Sequence, residues 1–106
     1  MAMSSIAVHF CPKSMCSYSA SKAAIDMTVE VMAKEFVKRK IRVNSIQPTF
    51  VDTEMTHNTS DWEAKAAALP LGLIEPIQIA YLVEFLLSDK AKYISGSHIK
   101  VSSGQF

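Results

Sequence analysis

Tyr18 and Lys22 are the residues of this sequence whose types and spacing best suit proton chemistry. In a helix, residues at this spacing lie on one face, one turn apart. A phenol ordinarily loses its proton at about pH 10, too high for efficient exchange at neutral pH, and a neighbouring ammonium favours the phenolate. The pair is therefore a sound general acid and base. Taken alone, Y-x-x-x-K also fits a half-buried tyrosine beside a solvated lysine on an ordinary surface helix.

The pair lies near the start of a long predicted helix, over about residues 17–38, which contains no Gly or Pro. The apolar residues of this helix spread over most of its circumference, a pattern typical of a helix buried on two sides. We therefore expect a sheet beneath it and another helix or subunit above it. A strand end over Met3–Val8 precedes it, followed by a loop at Pro12.

The rest of the chain alternates between helix and strand patterns. A strand is predicted over 41–47, followed by a short helix with a capping box at Ser60 and Glu63 that stops at Pro70. A second, amphipathic helix starts at Glu75, and its apolar face consists of Ile79, Leu82, Val83, Leu86 and Leu87. The last predicted element is an edge strand with one solvent-exposed face over 97–102. This order predicts an α/β fold with a small parallel sheet of about three strands. Such a sheet needs cover on both faces, so we expect it to be part of something larger.

Several motifs, in one order along the chain, resemble the short-chain dehydrogenase/reductase family. They are Ser5 in a Ser-Ser-Ile strand end, Y-S-A-S-K-A-A at Tyr18–Ala24, IRVNSIQP at Ile41–Pro48, V-D-T at Val51–Thr53, P-L-G at Pro70–Gly72, the Glu75-Pro76 helix start, Leu86–Asp89, and Y-I-S-G at Tyr93–Gly96. The resemblance covers essentially all 106 residues. It implies the C-terminal half of a Rossmann-like, doubly wound parallel sheet.

The resemblance also implies an activity: an NAD(P)-dependent oxidoreductase that transfers a hydride between nicotinamide and a carbonyl or alcohol substrate. Tyr18 would exchange the proton with the substrate oxygen, and Lys22 would favour the phenolate and hydrogen-bond the nicotinamide ribose. Ser5 would donate a hydrogen bond to the substrate oxygen. The residues that would border the nicotinamide are Tyr18, Lys22, Pro48, Thr49, Val51 and Thr53.

The segment after the V-D-T motif, about residues 54–69, corresponds to a mobile lid in the resembled family. Met55, Trp62 and Leu69 could line an apolar substrate pocket there. They could equally pack a short helix onto the domain. The sequence leaves both interpretations open, and it does not identify the substrate.

Some family features are missing. Thr49 stands where the family usually has Gly, and Val101–Gly104 stands where Asp-Gly-Gly is common. The only glycines are Gly72, Gly96 and Gly104, so a glycine-rich pyrophosphate turn has no counterpart. The asparagine of the family's catalytic set also has no counterpart in this chain, since Asn44 lies inside a predicted strand. We therefore expect residues 1–106 to be a partial dinucleotide-binding and catalytic domain, without the glycine-rich half, that binds NAD or NADP weakly or not at all.

Other interpretations of the same residues remain open. Ser19-Ala20-Ser21-Lys22 matches the S-x-x-K of some serine hydrolases, although the rest of the chain does not resemble them. The dispersed His9, His57 and His98 lack metal-ligand spacing, and no metal site is predicted. A catalytically silent fragment, or an interaction module that retains the family's oligomerisation surfaces, is the alternative function. A homo-oligomer is expected in either case.

Composition limits the partners and the compartment. A net charge of +1 gives no field that favours nucleic acid, and no apolar run is long enough to span a bilayer. The N-terminal residues do not resemble a signal peptide. Cys11 and Cys16 have neither CxxC spacing nor a disulfide framework, which fits buried or idle thiols in a reducing compartment. We therefore expect a cytoplasmic protein with no nucleic-acid or membrane partner.

Overall fold

The structure is a computed structural model that describes residues 1–105. Its strands are β1 (Ala2–Met3), β2 (Ser45–Pro48) and β3 (His98–Val101). Its helices are α1 (Ala7–Phe10), α2 (Cys16–Phe36), α3 (Glu54–His57), α4 (Trp62–Ala67) and α5 (Pro76–Leu87), with short 3-10 turns at Val37–Arg39 and Asp89–Ala91. No helix in the described part of the chain is long and apolar enough to cross a membrane.

The strands form one parallel sheet in the order β1-β2-β3, which confirms the predicted α/β class. Ala2 lies opposite Ser45, and Ser45 opposite His98. Backbone pairing continues beyond β1, because the Ile6 amide donates to the Pro48 carbonyl at 3.1 Å. This extension brings the residues after β1 level with the end of β2.

The apolar core lies between the sheet and α5. Ile46 of β2 is fully buried against Leu86 and Ala91. The predicted apolar face of α5 is confirmed at Ile79 and Leu86, which are both buried. It is wrong at Leu87, which is 64% exposed because the helix ends there and the chain turns away at Ser88.

Helix α2 covers part of the other side of the sheet. Its start and end agree with the predicted helix to within two residues, and a 3-10 turn extends it to Arg39. Only Val29 and Ala33 of α2 are fully buried. The sheet side of the predicted two-sided burial is therefore present, whereas the opposite side of α2 is not covered by any of residues 1–105.

The strand predicted over 41–47 begins late, at Ser45. The reason is that the backbone of Val43 bonds to a loop instead of a strand: its carbonyl accepts from the Gly96 amide at 2.7 Å. The Arg42 guanidinium also donates to the carbonyls of Ser88 and Ile94, both at 3.2 Å. Tertiary contacts thus hold this stretch without a ladder.

Two other local predictions are wrong. The predicted strand end over 3–8 turns into α1 from Ala7. The capping box at Ser60 and Glu63 does not form, because α4 starts after Asp61, whose φ of 56° lies in the left-handed region and which makes no side-chain cap bond. The helix also ends at Ala67, before the Pro70 that was expected to stop it.

Candidate active site

The site lies where the parallel strands end. Because carboxyl ends of parallel strands meet at one edge of a sheet, Ser5 after β1 lies beside Pro48 at the end of β2. Pro48 is in turn in register with Val101, the last residue of β3. Ligands of open α/β sheets bind at this edge.

Helix α2 presents Tyr18 from its first turn. The Tyr18 side chain is 39% exposed, and its hydroxyl hydrogen-bonds to none of the described residues. The Lys22 ammonium lies 5.7 Å from the centre of the Tyr18 ring. This distance lies within the range of a cation–π contact.

Lys22 is fixed to the end of β1. Its ammonium donates to the Met3 carbonyl at 3.2 Å, and the Ser4 hydroxyl donates to the Lys22 carbonyl at 3.1 Å. An ammonium has three donors, so two remain for other acceptors. Sequence reasoning missed Ser4, and the adjacent Ser4-Ser5 pair was the only signal for it. Together these bonds hold the helix at the strand end that leads into Ser5.

Ser5 is buried, at 6% exposure, in the turn that leads into α1. Its Oγ accepts from the Ala7 amide at 3.1 Å. That bond uses an acceptor lone pair and leaves the hydroxyl proton to be donated. The side chain is therefore oriented by its own backbone while its donor stays available.

The predicted nicotinamide-border residues after β2 are engaged within the chain. The Thr49 hydroxyl donates to the Gln105 side-chain oxygen at 2.8 Å. Thr53 Oγ1 accepts from the Thr56 amide at 3.4 Å and caps α3, while the Thr56 hydroxyl donates to the Val51 carbonyl at 2.5 Å. These bonds fix the turn that follows Pro48. The hydroxyl protons of Thr49 and Thr53 are already donated within the chain, to Gln105 and to the Val51 carbonyl.

Residues 54–69, the predicted lid, were expected either to line a substrate pocket or to pack a short helix onto the domain. Leu69 is buried, Met55 is 77% exposed, and the Trp62 ring stacks on His57 at a centroid distance of 4.2 Å. The His57 Nε2 lies 2.7 Å from an Asp52 carboxylate oxygen. Leu69 and Trp62 therefore pack within the structure, and only Met55 faces outward.

The structure also bears on the metal-site, S-x-x-K hydrolase and buried-thiol alternatives. Within residues 1–105, no three His, Cys, Asp or Glu side chains are grouped to hold a metal ion. Among residues 1–105 the buried Ser19 hydroxyl has no hydrogen-bond partner, so the S-x-x-K pattern lacks the serine–lysine contact that its chemistry requires. Cys11 and Cys16 are free thiols, and both are exposed.

Comparison with known proteins identifies the family. A family model described as enoyl-(acyl carrier protein) reductase matches residues 1–105. The solved structure of a short-chain type dehydrogenase/reductase from Mycobacterium ulcerans superposes with a TM-score of 0.87 at 30% identity, over 97% of this chain and 39% of that one. This chain belongs to the short-chain dehydrogenase/reductase family. The family and the Rossmann-like fold predicted from the sequence are therefore confirmed.

Relatives within the short-chain dehydrogenase/reductase family carry several activities. The 3-oxoacyl-(acyl-carrier-protein) reductase of Pseudomonas aeruginosa is 34% identical over 93 residues, covering 85% of this chain and 38% of its own length. An uncharacterised oxidoreductase of Methylorubrum extorquens is 42% identical, covering 82% of this chain and 38% of its own length. A 4-hydroxyisoleucine dehydrogenase complexed with NADH superposes with a TM-score of 0.85 at 29% identity, over 96% of this chain and 44% of that one. The chain thus spans about four-tenths of the length of the relatives it matches.

Proposed function

We propose that this chain contributes the acid–base part of an NAD(P)-dependent oxidoreductase that interconverts a carbonyl compound and an alcohol. The observation that carries the proposal is the Tyr18–Lys22 pair on α2. Its ammonium lies 5.7 Å from the phenol ring and is anchored to the Met3 carbonyl at the carboxyl end of β1. The NADH complex of the 4-hydroxyisoleucine dehydrogenase, a relative by structure, supports a nicotinamide cofactor.

The proposed chemistry divides between this chain and the cofactor. A bound nicotinamide would supply or accept the hydride. The Tyr18 hydroxyl gives its proton to the substrate oxygen during reduction and takes it back during oxidation. Lys22 stabilises the resulting phenolate by its positive charge. Ser5 directs its free hydroxyl proton to the same oxygen, where negative charge develops in the transition state.

The residues fit one end of the dinucleotide. The Lys22 ammonium, with one donor on Met3, keeps two for ribose hydroxyls, and Pro48 and Val51 border the nicotinamide. The pyrophosphate end does not fit, because none of the glycines lies in a turn that opens directly into a helix. In the proposed function, residues 1–105 therefore contribute only to the nicotinamide end of the cofactor site.

Loss of the Ser5 hydroxyl is the direct test of this assignment. We define the graft as residues 1–105 replacing the matching segment of the Pseudomonas aeruginosa reductase. Ser5→Ala in the graft should lower kcat for carbonyl reduction on the order of 10²-fold, the usual cost of losing one donor to a developing oxyanion. Steady-state kinetics with NADH or NADPH measures it.

The neighbouring Ser4→Ala is the matched control for that experiment. It removes the bond from another buried serine to the Lys22 carbonyl but no donor to substrate. We expect it to cost much less in kcat. Equal losses in the two variants would contradict the role of Ser5 and leave only a structural effect.

Cofactor affinity of the isolated chain should be very weak. In the proposed function, this chain would contact only the nicotinamide end, and its sequence has no glycine-rich turn for the pyrophosphate. Calorimetric titration of the chain with NADH and with NADPH should detect no micromolar binding, while the graft should bind one of them. Micromolar binding by the isolated chain would contradict this division of the cofactor site.

The proposed reaction also has a substrate class, partners and a compartment. The substrate is a small-molecule carbonyl or alcohol, and neither nucleic acid nor a membrane is a partner. The free thiols of Cys11 and Cys16 are typical of a reducing compartment, which favours the cytoplasm.

An interaction module that self-associates is the second candidate, and the uncovered side of α2 favours it. Met27 and Val31, one turn apart, are 61% and 46% exposed. On α5, Ile77, Tyr81 and Phe85 form a second exposed apolar row. Contiguous apolar surface of this kind is typical of contact sites between chains. An oxidoreductase that forms a homo-oligomer would expose the same apolar rows in its isolated chain.

Sedimentation of the chain over a dilution series should therefore give oligomers or aggregates, with the monomer marginal in stability. Met27→Glu should shift the distribution toward monomer if α2 forms the contact, whereas Glu35→Gln on the same helix should leave it unchanged. A monomer that unfolds cooperatively at low concentration would contradict the prediction.

A further inference from the structure

A turn over residues 102–105 follows β3 at the carboxyl edge of the sheet. The Gln105 amide donates to the Ser102 carbonyl at 3.0 Å and closes the turn. The two central residues, Ser103 and Gly104, have φ of 52° and 83°, and positive φ at both is the mark of a type I′ turn. The turn reverses the chain and returns Gln105 to the residue that follows β2.

That residue is Thr49, which is bonded both to β3 and to the 102–105 turn. The Thr49 amide donates to the Val101 carbonyl at 3.0 Å and so continues the pairing of β2 with β3 by one residue. The Thr49 hydroxyl donates to Gln105 Oε1 at 2.8 Å. The second bond joins two side chains 56 residues apart in the chain, and the sheet pairing alone would not provide it.

The 102–105 turn is also fixed from a second segment. The Leu71 amide donates to the Ser103 carbonyl at 2.9 Å, and the Ser103 hydroxyl donates to the Gly72 carbonyl. Ser103 is buried, and a Cβ on Gly104 would lie only 3.0 Å from the Pro70 Cβ. A serine at positive φ is strained, and these two bonds help to hold it there. Gln105 therefore projects from a turn that is itself well anchored.

The chain after Thr49 is held by a different partner. The Asp52 amide donates to the Ile74 carbonyl at 2.8 Å, and the Ile74 amide donates to the Phe50 carbonyl at 3.2 Å. Ile74 is buried beneath this pairing. Gln105 thus acts on the first residue of the turn after β2, before the backbone pairing with Ile74 begins.

We propose that Gln105 is a positioning residue for the cofactor edge. Through the Thr49 hydroxyl it fixes the start of the turn that borders the nicotinamide. Ligands of open α/β sheets bind at this edge, so a shift of the turn changes the shape of the site. Gln105 itself does not touch the cofactor. The contact belongs to the fold, whereas its consequence for the cofactor rests on the proposed function.

Amide hydrogen exchange of the 106-residue chain tests the contact without cofactor. Thr49→Val removes the donor and Gln105→Ala removes the acceptor, so each should lower the protection of residues 48–52 about threefold to tenfold, the scale of one hydrogen bond. Because both substitutions remove the same bond, the double variant should lose no more protection than either single variant. Additive losses would overturn the proposal.

Two further variants separate loss of the hydroxyl from general destabilisation. Thr59→Val removes another threonine hydroxyl, which donates to the Met55 carbonyl at 3.2 Å, and it should leave the protection of residues 48–52 unchanged. Thr49→Ser keeps a hydroxyl and should behave like the unsubstituted chain. If Thr49→Ser loses as much protection as Thr49→Val, the hydrogen bond is not the cause and the proposal fails.

Cofactor binding by the graft tests the consequence. Gln105→Ala is the decisive variant, because Thr49 itself is assigned to the nicotinamide border. It should raise the dissociation constant of NADH or NADPH about threefold to tenfold, whereas Thr59→Val should leave it unchanged. A purely structural role of Gln105 would lower the Tm and leave the dissociation constant of the folded graft as it was. That result would overturn the positioning role.

Failure of this inference and failure of the proposed function give different results. A graft that binds neither cofactor contradicts the proposed function, and the positioning role falls with it, while the exchange measurements still decide the contact. A graft that binds cofactor equally well with and without Gln105→Ala contradicts the positioning role alone.

Discussion

Tyr18→Phe in the graft should abolish carbonyl reduction while leaving cofactor binding largely intact. The substitution removes only the hydroxyl, which has no hydrogen-bond partner among residues 1–105, so the fold loses little. General acid–base groups contribute about 10²- to 10⁴-fold to rate, and we expect a loss at or beyond the upper end of that range. Single-turnover reduction measures the chemistry, and cofactor fluorescence titration measures the binding.

Ser19→Ala is the matched control for Tyr18→Phe, since it changes the adjacent hydroxyl. The Ser19 hydroxyl is buried and has no hydrogen-bond partner in the described part of the chain, so its loss should be tolerated. An esterase activity that persists in Tyr18→Phe and disappears in Ser19→Ala would contradict the dehydrogenase interpretation of α2. The S-x-x-K hydrolase chemistry would then take its place.

Lys22→Ala should damage both turnover and cofactor binding. In the proposed function, the ammonium would stabilise charge on the Tyr18 phenol, and its two remaining donors would bind the ribose. Its loss also frees α2 from the Met3 carbonyl at the end of β1. We therefore expect kcat to fall about 10²-fold or more, with a simultaneous rise in the cofactor dissociation constant. Steady-state kinetics with the cofactor as the varied substrate separates the two effects.

Lys34→Ala provides the comparison for that loss. Lys34 lies on the same helix in its last turn, far along the axis from Tyr18, and is exposed. It should leave kcat and cofactor binding unchanged. If Lys22→Ala lowers kcat but leaves cofactor affinity normal, Lys22 acts on Tyr18 alone. The proposed contact with the ribose would then be contradicted.

The sequence alone determined the family and the main helices, because these depend on residues near one another in the chain. Tyr18 and Lys22 share a face by helical periodicity, whatever the helix packs against. The buried side of α5 follows from the same periodicity at Ile79 and Leu86. The collinear order of the family motifs needed no three-dimensional information either.

Local features that depend on distant partners escaped prediction. Residues 41–44 have strand-like composition, but the backbone of Val43 bonds to the loop at Ser95 and Gly96. Ser60 has the sequence of a cap, yet Asp61 adopts a left-handed conformation and α4 begins one residue later than the pattern requires. Propensity describes what a segment can form, and tertiary hydrogen bonds decide which option is used.

The surroundings of the candidate site were decided by the tertiary structure. Alternation along β3 predicts that His98 and Ile99 face opposite sides, and it suggested that the side of His98 was wet. The fold instead lays α2 over that side, with Asp26 and Glu30 against the imidazole. The sequence therefore predicted which residues would carry the proposed acid–base chemistry. Long-range packing decided what holds them in place, because hydrogen bonds between segments far apart in the chain leave no periodic pattern in the sequence.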